Sequence, residues 1–118
     1  MTPSSYILGW ITHSRTTVDL GAIAADMYIL RASCHVTEAF NSDGTDTITV
    51  GTVADTDAYI TSIDSSSTGI KTATLGVKAG YNSTAAQIKI YYVAGGSSPT
   101  TGKALIIIEL TKVPNLPS

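Results

Sequence analysis

The chain has 118 residues and a mass of 12.2 kDa, enough for one buried core but not for a second domain with a core of its own. Charged residues make up only 14% against 43% hydrophobic, the net charge is −2, and the seven basic residues (Arg15, Arg31, Lys71, Lys78, Lys89, Lys103, Lys112) stand singly. That pattern offers no basic stripe for phosphates and points away from nucleic acid, while a lone cysteine, Cys34, excludes a disulfide scaffold and a multi-cysteine zinc site.

The elements read as strands from the start. Thr, Ile and Val are abundant, and turn signals recur at "NSDG" (41–44), "ADTD" (54–57), "SSSTG" (65–69), "KAGYN" (78–82) and "GGSSPTTG" (95–102). Tyr6 to Ile11 and Thr16 to Leu20 read as a first strand pair or one bent strand, and "LGAIAADM" is too short for a helix. Met27 to Phe40 is the longest alternating segment, with Tyr28, Leu30, Ala32, Cys34 and Val36 on one face and Arg31, Ser33, His35 and Thr37 on the other. Thr45 to Val50 sends Ile48 and Val50 inward and Thr47 and Thr49 outward. Tyr59 to Ile63, Ile70 to Val77, Ala86 to Val93 and Lys103 to Val113 follow, with Asp55 placed to cap a short helical turn. The fold class expected is all-β: an antiparallel β-sandwich, jelly-roll-like, of about eight strands. Residues 1–20 form an N-terminal arm or the first strands, and 21–118 the sandwich, within a single domain.

Lys103 to Val113 contains Ala104, Leu105, Ile106, Ile107 and Ile108 without a polar break, so this strand is apolar on both faces. Paired as a hairpin with Ala86 to Val93, Lys89 faces Glu109, Tyr91 faces Ile107 and Val93 faces Leu105. Ile88, Ile90 and Tyr92 then meet Leu110, Ile108 and Ile106 in a core layer. Tyr91, Val93, Leu105 and Ile107 form an outer apolar patch in that register, and a neighbouring subunit is the expected cover.

Catalytic and ligand-binding patterns are lacking. Cys34 and His35 point to opposite faces of their strand, so they make no dyad, and His13 lies in a polar stretch that reads as solvated surface. Asp43, Asp46, Asp55 and Asp57 prompt a calcium reading, but "NSDGTD" has its glycine in the wrong place and no twelfth-position Glu. Aspartates at turns more often bond their own backbone, so no metal is assigned, and whether calcium binds near Asp55 and Asp57 stays open. "GGSSPTTGK" is followed by Ala104, not Ser or Thr, and lies between strands, so it is no phosphate loop. No catalytic residue, cofactor or metal is expected. The N-terminus has no basic and apolar secretion signal, and no apolar run approaches the ~18 residues of a membrane span.

Two stretches do carry a resemblance. "TEAFNSDGTDTITVGT-ADTDAYI" and "IYYVAGGSSPTTGKALIIIEL" resemble small β-sandwich capsid decoration (head auxiliary, or cement) proteins of tailed bacteriophages. In those a strand runs into a turn of the form "aF-sdGTDtltvG", and the last strands read close to "yTaGGsaPTaGkalviveY". The similarity covers about residues 27–112, with Leu110 where an aromatic is frequent, and does not extend to residues 1–20. It implies a non-enzymatic virion protein that binds the major capsid protein at local three-fold positions, commonly as a homotrimer. Such a protein would assemble in the bacterial host cytoplasm, with no nucleic acid or membrane partner. Alternatives are a head-fibre, tail or baseplate component, or a carbohydrate-binding module that uses exposed Trp10 and tyrosines.

Overall fold

A computed structural model describes residues 4–23, 27–76, 81–82 and 86–112. Strands follow one another along the chain: β1 Ser4–Thr12, β2 Thr17–Ile23, β3 Met27–Glu38, β4 Thr47–Gly51, β5 Ile60–Asp64, β6 Gly69–Thr72, β7 Tyr81–Asn82, β8 Ala86–Val93 and β9 Lys103–Lys112. Eight of them span four residues or more; β7 is a two-residue pairing with the start of β3. The first sheet has the order β1-β9-β3-β6 and the second β2-β8-β4-β5, all pairs antiparallel. Among the described strands only β4 and β5 are sequence neighbours paired in one sheet, a jelly-roll-like winding between two layers.

The inward faces are legible from alternation. Ala104, Ile106, Ile108 and Leu110 of β9 and Ala32, Cys34 and Val36 of β3 are buried from the first sheet. Ile88, Ile90 and Tyr92 of β8 and Ile48 and Val50 of β4 answer them from the second. Burying each aliphatic side chain contributes about 1.5–3 kcal/mol, so this double layer is the main stabilising feature.

The proposed β8–β9 hairpin is corrected. Ile88, Ile90 and Tyr92 do share the core with Ile106, Ile108 and Leu110, but across the sandwich, because β8 and β9 belong to different sheets. Nine residues separate the two strands, ample to bridge the ~10 Å between packed sheets and longer than a tight hairpin requires. Lys89 therefore lies opposite Asp19, and Glu109 opposite Arg31 and Tyr6. Likewise β1 and β2 are neither a pair nor one bent strand: the chain turns at residues 13–15 and changes sheet.

Alternation in β3 slips twice, between Ile29 and Arg31 and between Val36 and Glu38. Between Ile29 and Arg31 the register with β9 shifts by one residue, so Leu30 and Arg31 both point outward. Ile29 is buried, and Tyr28 and Leu30 are exposed rather than part of the core face. Other boundaries shift too. The strand expected from Ile70 to Val77 is β6, Gly69–Thr72, and Val77 lies outside the described residues. The Asp55 region forms a turn, not a helical cap: the Asp55 carbonyl accepts from the N–H groups of Thr52 (2.8 Å) and Ala58 (3.2 Å).

The two stretches that carry the family resemblance meet at one end of the sandwich. The Asn41 side chain accepts from the backbone N–H groups of Thr100 (2.7 Å) and Thr101 (3.1 Å) and donates to Thr100 Oγ1 (2.9 Å). Ser97 donates to Asp43 at 2.8 Å, and Glu38 accepts from the Gly102 N–H at 2.9 Å. Gly44 and Gly95 touch backbone to backbone; a Cβ on Gly95 would lie 2.1 Å from the Thr45 carbonyl oxygen. Gly102, at φ +147°, lets the Phe40 ring lie against it where a Cβ would be 2.4 Å from a ring carbon. These motifs are a latch between the β3–β4 and β8–β9 loops.

Candidate functional site

Asp46 belongs to that latch. It is fully buried, accepts a 2.6 Å hydrogen bond from Tyr92 Oη, and accepts another from the Ser42 N–H at 3.2 Å. Burial and the Asp46 carboxylate together push the Tyr92 hydroxyl well above the ordinary tyrosine range. The role is structural. Asp43 is engaged with Ser97, while Asp55 and Asp57 lie beside each other, where the Asp55 carboxyl raises the pKa of exposed Asp57. Among the described residues no group of three or more His, Cys, Asp and Glu side chains is arranged to hold a metal ion.

Cys34 is buried and His35 exposed on the opposite face, so they do not meet. Burial raises the Cys34 thiol pKa to about 11, opposed weakly by Lys71, which leaves it protonated and unreactive at neutral pH. His13 differs from the surface residue expected: it is half-buried in the β1–β2 turn, with its backbone N–H on the Gly102 carbonyl and a buried Nδ1 that has no partner among the described residues.

The four candidate interface residues separate. Tyr91 and Val93 lie opposite Thr49 and Thr47 on the outer face of the second sheet. Leu105 and Ile107 lie on the outer face of the first, on the other side of the molecule. They do not form one patch.

Leu105 and Ile107 instead join residues from β1. Trp10 faces Leu105, Leu8 faces Ile107 and Tyr6 faces Glu109. Tyr6, Leu8 and Trp10 remain 58%, 56% and 52% exposed, because their strand alternates with inward Ile7, Gly9 and Ile11. On the other flank of β9, His35 lies opposite Leu105 and Ser33 opposite Ile107, and Ile70 of β6, 77% exposed, lies opposite His35. The face grades from apolar at Trp10 and Leu105 to charged at Tyr6, where Arg31 binds Glu109 at 2.6 Å and Tyr6 Oη donates to the same carboxylate at 3.3 Å. A depression at the charged end is lined by Tyr6, Arg31, Ser33, Thr72, Ile107 and Glu109. With aromatic side chains at ~150–250 Å² each, Tyr6 and Trp10 alone leave on the order of 200 Å² of ring surface open. Leu8 and Ile70 add further apolar surface to the same face, which reaches the ~300–600 Å² of the largest patch on a typical monomer, a patch that is often functional. The sequence carried a signal for it: "SSYILGWIT" is apolar on both faces, as β9 is.

The fold is one found in solved phage capsids. A chain of the cyanophage Pam1 capsid asymmetric unit matches over 96% of this chain and 86% of its own, with a TM-score of 0.71 and 13% identity. A chain of the acidic stable capsid of Helicobacter pylori bacteriophage KHP30 matches over 98% and 89%, at 0.67 and 15%. A chain of the capsid of Ralstonia phage GP4 matches over 98% and 86%, at 0.65 and 12%. No protein-family profile and no curated protein sequence matches the chain. At these identities the likeness is one of fold.

Proposed function

We propose that this chain is a non-enzymatic virion structural protein of a tailed bacteriophage, a decoration or cement protein that binds the outer surface of the capsid and stabilises it. The observation that carries this reading is the apolar outer face of the first sheet, centred on Leu105 and Ile107 and continued by Leu8 and Trp10, on a fold shared with chains of phage capsids. The sequence resemblance of residues 27–112 to decoration proteins supports the same role. The partners are the major capsid protein and further copies of this chain, grouped as a trimer at local three-fold positions after assembly in the host cytoplasm. Leu105 and Ile107 belong to that contact surface. Tyr91 and Val93 face the opposite way, and back-to-back faces of a sandwich would stack into an open array, not close a ring. Binding is multivalent, so weak contacts per copy sum over the shell.

A second reading is favoured by one observation: Trp10 and Tyr6 are exposed in a row, as a carbohydrate platform would need. Leu8 lies between them with Leu105 and Ile107 behind, so polar groups flank the row only at its Tyr6 end, where Arg31 and Glu109 already bind each other, which favours a protein surface. A head-fibre, tail or baseplate position would use the same face.

The test is cosedimentation with shells assembled from the major capsid protein of the same phage. The native chain is expected to pellet with shells, and a variant with both Leu105→Asp and Ile107→Asp to stay in the supernatant while keeping its β-sheet circular dichroism. Equal pelleting of the two folded proteins contradicts the assignment of this face, and failure of both to bind contradicts the capsid-surface role.

A further inference from the structure

The sandwich has four sheet edges, and three are guarded against pairing with another strand. At β2 the register shifts between Asp19 and Gly21, and the Asp19 carboxylate accepts from the Gly21 N–H at 2.8 Å, which occupies an edge donor. The edge of β5 is occupied by its own chain: the Thr61 N–H donates to the Thr74 carbonyl at 3.0 Å, and the Gly76 N–H to the Tyr59 carbonyl at 2.8 Å. The third edge, β6, has four residues and carries Lys71.

Edge strand β1 has none of these devices. Nine residues long, it pairs with β9 in unbroken register from Ser4↔Thr111 to Thr12↔Lys103, and "SSYILGWIT" contains no charge and no proline. At its end the Thr12 carbonyl accepts from the Arg15 N–H at 3.1 Å; no other described segment pairs with its outer side. Such an edge is a template for another strand.

We propose that β1 pairs antiparallel with β1 of a second copy of this chain, about a two-fold axis at Leu8, joining two first sheets into one. The strand itself selects this occupant. Because it is uncharged, a copy meets it without repulsion, whereas a charged edge would oppose its own like charges directly. Outer residues must meet outer residues, since directly opposite residues share a face and a two-fold axis through the joined sheet keeps both cores on the same side. Of the registers that satisfy this rule, the one centred on Leu8 pairs the whole open stretch from Ser5 to Ile11, short of Thr12, whose carbonyl holds the Arg15 N–H. It also sets Tyr6 against Trp10 of the second copy, twice, in favourable aromatic cross-strand contacts. The small Gly9 then lies opposite Ile7. A strand of nine residues is ~30 Å long at ~3.3 Å per residue, so the contact is below the ~800 Å² per partner of standard complexes. The pairing is therefore weak and reversible in dilute solution. It goes beyond the capsid reading and does not depend on it: a two-fold edge would link neighbouring trimers if both hold.

The experiment is cysteine cross-linking of the full chain. Leu8→Cys places two thiols directly opposite across the axis, at a Cα separation of ~4.5–5.5 Å that a disulfide spans. Ile70→Cys, exposed on the same face but at the other edge, is the control, and Cys34 is buried and does not compete. Under mild oxidation Leu8→Cys is expected to form covalent dimers at least tenfold faster than Ile70→Cys. A complementary pair checks the register: Leu8→Lys and Leu8→Glu should each abolish concentration-dependent dimerisation alone and regain it when mixed. Equal cross-linking of Leu8→Cys and Ile70→Cys, or self-association of Leu8→Lys as strong as the native chain, overturns the proposal. Either result leaves shell binding through Leu105 and Ile107 to its own test.

Discussion

On the outside of the first sheet stand Leu8, Trp10, Leu105 and Ile107, where the outside of the second sets Tyr91 and Val93 among Thr17, Thr47, Thr49 and Lys89. Both sheets bury equivalent inner faces rich in isoleucine, so the core does not account for the difference. Threonine outside and isoleucine inside is what a sheet does when one face meets water. Apolar residues on both faces of a strand call for a second cover. On the first sheet the core provides one, and among the described residues nothing in the chain provides the other. Fold stability and the proposed association thus fall to opposite faces of the same strand.

The sharpest way to break this comparison is to truncate adjacent residues of β9. Ile108→Ala, on the inner face, is expected to cost about 2–5 kcal/mol by cavity formation, whereas Ile107→Ala, on the outer face, should cost under about 1 kcal/mol in the isolated chain. Urea unfolding monitored by circular dichroism measures both, and equal costs would show that the outer face is covered from within. Next comes the latch. Asp46→Ala leaves the buried Tyr92 hydroxyl without its acceptor and is expected to cost about 1–3 kcal/mol, read by the same method, with association unaffected. Smaller again is Cys34→Ser, at about 1 kcal/mol near neutral pH for a buried hydroxyl replacing a thiol. Its pH dependence has a definite sign. The folded thiol titrates at about 11 and an ordinary one near 9.0, so between those values the unfolded chain holds fewer protons than the folded one. Stability is then full below pH 9 and declines as pH rises toward 11. Unfolding curves of Cys34→Ser should decline less over that window than those of the native chain.

Much of the inner architecture was legible in the sequence. Alternation placed Ile48, Val50, Cys34, Val36, Ile90 and Ile108 inward, because a period of two follows from the pleat whichever strand lies next door. For the same reason alternation cannot say which strands are neighbours. Pairing β8 with β9 followed the tendency of consecutive strands to lie together, and the nine-residue loop with Pro99 was the contrary signal. That error divided the candidate site: Leu105 and Ile107 lie on an outer apolar face, but their companions are Leu8 and Trp10, not Tyr91 and Val93. Alternation in β3 failed at Tyr28 and Leu30, where a bulge adds a residue that leaves no mark in composition and inverts the faces before it. The loop motifs that carry the family resemblance have a physical content, the Asn41–Thr100 and Gly44–Gly95 latch.

Trp10 is the only tryptophan and sits on the face in question, which makes its fluorescence the most direct measurement. Acrylamide quenching is compared for dilute free protein and for protein bound to shells of its own phage. The account predicts efficient quenching and red-shifted emission when free, and protection with a blue shift when bound. An indole equally accessible in both states would contradict the claim that the outer face of the first sheet is the contact surface.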